Sequence, residues 1–138
     1  MAAINPYANY RDQSVNTATP GELIVMLFNG ALRNINIAVN AINNKDVESA
    51  HNAIIKTQNI FCALLAGLDQ SLEVSAGIRD LYEYIIDRLI TANIKKDKDI
   101  LAEVAGLAQE LRDTWQEAER KTHMAHAAHQ ARGAVQRA

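Results

Sequence analysis

The chain has two prolines, Pro6 and Pro20, and both lie before the long segment that makes up most of its length. Proline removes a backbone donor and disrupts a helix interior, so the segment after residue 20 is free to form long helices. Its apolar residues recur at helical spacing up to about residue 120, without the alternation typical of strands. The spacing predicts an all-α fold.

Four helices are predicted, each starting at a residue that can cap it. The predicted N-caps are Thr19, Asp46, Ser75 and Asp97. The first start is the best defined, because Pro20 follows the cap and Glu22 lies three residues after it, where its carboxylate can bond a free backbone N–H. Helix one should end near Asn43, and helix two near Leu68 or Asp69.

Similar helix lengths and short connections favour an antiparallel four-helix bundle over residues 19–120. Residues 1–18 are then a short N-terminal arm. Residues 121–138 are an Ala/His-rich C-terminal extension that is either helical or disordered. A length of 138 residues suits one domain.

Composition excludes several classes of protein. Cys62 is the single cysteine, so no internal disulfide is possible and a reducing compartment, the cytoplasm, is expected. A formal net charge of −2 with mixed signs offers no match to nucleic acid. The apolar run at residues 60–68 is too short to cross a bilayer, and helix one's polar face carries Arg33 among asparagines, so membrane insertion or surface binding is not expected.

No catalytic or metal-binding pattern emerges from the sequence. A di-iron bundle needs Glu-x-x-His on two helices, and Glu48-x-x-His51 is a single match. The histidines His123, His126 and His129 are most simply interpreted as part of a polar tail. The alternative is that His123 and His126 share a metal ion on one helix face, with weak affinity for nickel or zinc. We therefore expect no enzymatic activity, no cofactor and no metal site.

Several segments, in order, resemble one known family, the flagellar secretion chaperones of the FliS family. The matching segments are residues 10–23, 27–32, 58–60, 82–93 and 112–115. Together they span roughly residues 4–120. Phe28 departs from the family pattern, which often has Tyr there.

The resemblance implies a binding activity without chemistry. Proteins of this family hold the disordered C-terminal segment of flagellin in the cytoplasm, prevent its premature polymerisation and present it to the flagellar export gate. The resemblance also leaves room for other flagellar partners, such as the anti-sigma factor.

Helices one to three carry more apolar residues than one stripe requires. The pattern alone favours a central helix that meets two neighbours and buries a wide stripe. The resemblance instead favours an exposed groove for an amphipathic segment. The residues predicted to line a flagellin-binding groove are Leu23, Met26, Gly30, Ile55, Cys62, Tyr82, Ile86 and Ile90.

The N-terminal arm contains three apolar or aromatic residues, Ile4, Tyr7 and Tyr10. They could simply pack on the bundle, as terminal arms often do. Alternatively, the arm is a displaceable plug that competes with flagellin for the groove. A plug predicts that deletion of residues 1–12 tightens flagellin binding.

Overall fold

The computed structural model of the chain describes residues 18–137, which form four α-helices. They are α1 (Pro20–Asn43), α2 (Val47–Ala66), α3 (Ser75–Lys95) and α4 (Lys98–Arg137). The predicted all-α bundle is confirmed.

Local capping fixes the start of three helices as predicted. The Thr19 hydroxyl accepts a hydrogen bond from the Glu22 N–H at 3.1 Å. The carboxylate of Asp46 accepts one from the Ser49 N–H at 3.1 Å. At α4, the Asp97 carboxylate accepts the N–H of Asp99 at 2.8 Å and that of Ile100 at 3.3 Å.

The prediction that Ser75 caps α3 is wrong. Ser75 is the first residue of the helix and is buried, and the cap position belongs to Val74, which makes no side-chain capping bond. The end of α2 also comes earlier than predicted, at Ala66, because Gly67 follows as its C-cap. At the first turn of α1, the Glu22 carboxylate pairs with His123 of α4, 2.8 Å away.

Each helix packs antiparallel against the next one along the chain, and α4 closes the bundle against α1. Contacts at opposite ends establish the directions. Lys98, at the start of α4, bonds Asn43 at the end of α1, and His51, early in α2, meets Asn93 near the end of α3.

The core is shared by all four helices. Three aromatic rings from α1, α2 and α3 meet at its centre, with centroids 6.0–6.4 Å apart and tilted or edge-on packing. These are Phe28, Phe61 and Tyr82. All three side chains are at most 1% exposed.

Among the described residues, α1 is the one helix long and apolar enough by composition to cross a membrane. Its apolar stripe lies in the bundle core, where Leu27, Ala31 and Ile35 are buried against the other helices. Core packing therefore accounts for its composition.

Helix α4 is 40 residues long, whereas α1 has 24. At 1.5 Å per residue, α4 measures about 60 Å, so it extends past the bundle. Trp115 is half-buried, and all side chains of residues 120–132 are exposed. The segment predicted to be helical or disordered is thus the distal part of a continuous helix.

Candidate partner-binding groove

An open groove of about 400 Å³ lies between α2 and α3. It is lined by His51, Ile55, Gln58, Ile90, Asn93, Ile94 and Lys96. The lining residues from α2 are three or four positions apart along the chain, and so are most of the lining residues from α3. Each set therefore occupies one face of its helix.

Apolar side chains form a ridge along α3 beside this groove. Ile86 is half-buried and packs on the core, Ile90 is 43% exposed, and Ile94 is 79% exposed. Leaving a large aliphatic side chain in water forgoes roughly 1.5–3 kcal/mol of burial free energy. A contiguous ridge of this kind indicates an interaction surface.

Asn93 organises the polar end of the groove. Its amide nitrogen lies 3.0 Å from the His51 Nδ1 atom, and its amide oxygen accepts a hydrogen bond from Lys96 Nζ at 2.7 Å. Lys96 Nζ also donates to the Asn93 backbone oxygen at 2.6 Å.

Gln58 supplies the groove with an acceptor that the bundle itself does not use. Its side-chain oxygen Oε1 is buried and, among the described residues, has no hydrogen-bond partner. A buried acceptor left unpaired costs about 1–3 kcal/mol. A bound segment that brings an N–H to this atom would remove that penalty.

Five of the residues predicted to line a partner groove reach the surface at least partly. Ile55 and Ile90 line the α2–α3 groove, and Ile86 lies one turn before Ile90. Met26 is 41% exposed, and Cys62 is also exposed, but neither lines this groove.

The other three predicted groove residues are core residues in this structure. Leu23 and Tyr82 are each 1% exposed. Gly30 is buried against α2, where an added Cβ would lie 3.5 Å from the Ile60 Cδ1 atom. Neighbouring helices cover Leu23 and Gly30, and Tyr82 contributes only to the wall of a second hollow. The contact of all three with a partner stays a prediction.

A second, more apolar hollow of about 240 Å³ lies at the opposite end of the bundle. It forms where the α2–α3 connection faces the start of α1 and the middle of α4. Leu72 and Val74 of that connection are 53% and 68% exposed, and the half-buried Trp115 closes the α4 side. Tyr82 lines this hollow from within the core.

Sequence reasoning missed several groove residues. Ile94 is a different case, because periodicity places it in the same apolar set of helix three as Ile86 and Ile90, although the predicted groove residues stop at Ile90. His51, Gln58 and Asn93 carry no periodic signal that separates them from other exposed polar residues. The arm residues Ile4, Tyr7 and Tyr10 lie outside the described residues.

One group of side chains that could hold a metal ion occurs among the described residues, and none of its members lines either hollow. The ligand atoms of Glu22, Glu119 and His123 lie within 4.8 Å of one another. The thiol of Cys62 does not belong to this group.

Comparison with known proteins identifies the family. Residues 3–122 match the family model of the flagellar protein FliS. The chain is 48% identical over 118 residues to the flagellar secretion chaperone FliS of Bacillus subtilis, covering 86% of this chain and 89% of that protein. It is 35% identical to the Salmonella typhimurium FliS, over 84% of this chain and 89% of that protein.

A third relative is the flagellar secretion chaperone FliSB of Pseudomonas aeruginosa, which is 31% identical over 83% of this chain and 94% of its own length. The helical bundle, the exposed groove and these matches agree with one another. The chain belongs to the FliS family of flagellar secretion chaperones.

Proposed function

We propose that this protein binds the disordered C-terminal segment of flagellin in the cytoplasm, prevents its premature polymerisation and delivers it to the flagellar export apparatus. The observation that carries the proposal is the α2–α3 groove with its exposed isoleucine ridge, in a chain of this family. No step of this activity requires bond chemistry.

The groove suits an amphipathic segment that folds as it binds. The segment's apolar side chains would cover Ile90 and Ile94, which are exposed in the free chain. Burial of apolar surface at roughly 25 cal/mol per Å² drives such binding. A donor from the segment would pair with Gln58 Oε1, the buried acceptor without a partner in the described chain. Binding would thereby bury the exposed isoleucines and give the Gln58 oxygen a hydrogen-bond donor.

The N-terminal arm, with Ile4, Tyr7 and Tyr10, would regulate this groove as a displaceable plug. Such a plug lowers the apparent affinity for flagellin in proportion to the fraction of chaperone molecules whose groove is open. The export gate is the expected second partner, and other flagellar regulators, such as the anti-sigma factor, are further candidates.

Calorimetric titration of the full chain with the C-terminal segment of its host's flagellin tests the proposal. We expect saturable 1:1 binding and no binding of a flagellin that lacks the segment. A chain lacking residues 1–12 should bind more tightly. If neither form of the folded chain binds the segment, the proposed function is wrong.

A pair of matched variants tests the groove itself. Ile90→Asp places a charge on the ridge and should weaken binding at least about tenfold, equivalent to ~1.4 kcal/mol. Met124→Asp changes an exposed residue of the α4 extension and should leave affinity unchanged. Equal affinities for both variants would exclude the α2–α3 groove while leaving the flagellin assignment intact.

A further inference from the structure

We propose that Glu22, Glu119 and His123 form a binding site for a divalent transition-metal ion, with Zn²⁺ as the best match. The site lies where the extended part of α4 passes the first turn of α1. It is separate from the α2–α3 groove and independent of the proposed flagellin binding.

The spacing of the three ligand atoms fits one small ion. His123 Nε2 lies 2.8 Å from Glu22 Oε1 and 3.8 Å from Glu119 Oε2. Ligand atoms of a tetrahedral zinc site, at bond lengths near 2.0–2.2 Å, are about 3.3 Å apart. The two distances bracket that value, and the ligand oxygens of Glu22 and Glu119 lie within 4.8 Å of each other, so rotations of these side chains would bring all three atoms around one ion.

The backbones of α1 and α4 place the three ligand side chains next to one another. Glu119 and His123 are four residues apart and so share one face of α4. Glu22 comes from the first turn of α1, directly after Gly21. An added Cβ on Gly21 would overlap the Glu119 carboxylate, so this carboxylate lies against the bare Cα of the glycine.

Thr19 orients the Glu119 carboxylate through a hydrogen bond. Its hydroxyl donates to Glu119 Oε2 at 3.2 Å while accepting from the Glu22 N–H. Hydrogen bonds of this kind to a ligating carboxylate fix its direction and commonly change metal affinity 10–100-fold on mutation, as an order of magnitude.

The donor set selects the class of ion. One imidazole nitrogen and two carboxylate oxygens suit Zn²⁺ and similar transition metals, whereas Ca²⁺ and Mg²⁺ prefer sites made wholly of oxygen. Side-chain exposures of 59% for His123, 41% for Glu22 and 21% for Glu119 leave water room to complete the coordination. The two carboxylate charges would balance the charge of the ion.

His123 is also the first residue beyond the part of the chain that matches the family, which ends at residue 122. The site therefore joins the family bundle to this chain's own extension. The histidines that follow, His126 and His129, belong to no metal-ligating group in the described chain. They provide internal controls.

The test is calorimetric titration of the untagged full chain with Zn²⁺, in a Cys62→Ser background that removes the exposed thiol as a competing ligand. We expect one saturable site. His123→Gln and Glu22→Gln should each weaken Zn²⁺ binding at least about tenfold, whereas His126→Gln should not change it. Zn²⁺ should also raise the melting temperature of the parent chain but not that of His123→Gln, and Mg²⁺ should raise neither.

Circular dichroism of each variant without metal verifies that it is folded. Absence of saturable Zn²⁺ binding to the parent chain would overturn the proposal, and the three side chains would then form only a hydrogen-bonded contact. Equal binding by His123→Gln and His126→Gln would overturn it as well, because the ion would then be held elsewhere.

Discussion

The first half of α4 (residues 98–115) and its second half (residues 116–137) have the same secondary structure but different surroundings. In the first half, Leu101, Val104 and Ala108 are fully buried in the core. In the second half, residues 120–132 are all exposed. Helix formation and tertiary packing are therefore separable along one continuous helix. The second half depends on local backbone bonds and side-chain pairs, which stabilise isolated helices only weakly.

Two ion pairs of α4 show the same contrast. Glu103, in the first half, accepts hydrogen bonds from Tyr84 at 2.6 Å and Arg88 at 2.8 Å, both on α3. Glu117, in the second half, accepts from Arg120 three residues along the same helix. Glu119 and His123 are the exceptions, since they connect the second half to α1.

The largest expected difference between the halves comes from truncating an apolar side chain. Leu101→Ala, in the core, should lower the free energy of unfolding by about 2–5 kcal/mol, through lost burial and the cavity left behind. Met124→Ala, in the exposed half, should change it by no more than about 0.5 kcal/mol. Urea denaturation of both variants gives the two values. Similar losses would mean that the second half is packed.

A smaller effect should follow from removing the hydroxyl that serves both α1 and α4. Thr19→Ala removes the cap of α1 and the bond to Glu119, and should cost about 1 kcal/mol. Thr122→Ala is the matched control, because that hydroxyl only returns to the Ala118 carbonyl of its own helix. The same denaturation assay should show a change near zero for Thr122→Ala. A neutral Thr19→Ala would show that the cap is dispensable.

Two glycines should respond differently to replacement by alanine. Gly106, on the exposed face of the first half of α4, has no atom within 4 Å of an added Cβ. Gly106→Ala should therefore raise stability by up to about 1 kcal/mol through helix propensity. Gly21→Ala should instead displace the Glu119 carboxylate and gain less or lose stability. Thermal melts of the two variants compare them, and a destabilised Gly106→Ala would contradict the expectation.

The sequence was sufficient where local chemistry decides the outcome. Helical periodicity predicted the bundle, and the caps at Thr19, Asp46 and Asp97 form between residues two or three positions apart. The prediction that Ser75 caps α3 was wrong because a serine at a helix start can cap the helix or be buried within its first turn. Which of the two occurs depends on the path of the preceding connection.

The site was only partly predictable, since exposure depends on which helices become neighbours. A wide apolar stripe looks the same in sequence whether it is covered, as at Leu23, or open, as at Ile90. Nor does any local pattern bring Glu22 next to His123, which lies 101 positions away along the chain. Such contacts follow from the antiparallel packing of α1 and α4.

The smallest expected effect is on acid stability, and it separates the ion pair of Glu103 from that of Glu117. Hydrogen bonds from Tyr84, and then from Arg88, lower the pKa of the Glu103 carboxyl below its ordinary 4.5. A hydrogen bond from Arg120 likewise lowers the pKa of Glu117. A carboxyl whose pKa is lowered by folding stabilises the protein above its unfolded pKa, and this stabilisation is lost as the pH falls through the folded pKa.

Glu103→Gln should therefore flatten the loss of melting temperature below about pH 4.5, measured by thermal melts from about pH 6 to about pH 3. Glu117→Gln should flatten it less, because its partner is on the same exposed helix and the pair persists in any helical form of that segment. Both groups are solvent-exposed, so salt should weaken both effects. If Glu117→Gln had an equal or larger effect, the contacts of Glu103 with α3 would add no stability to the first half of α4 beyond that of its buried apolar residues.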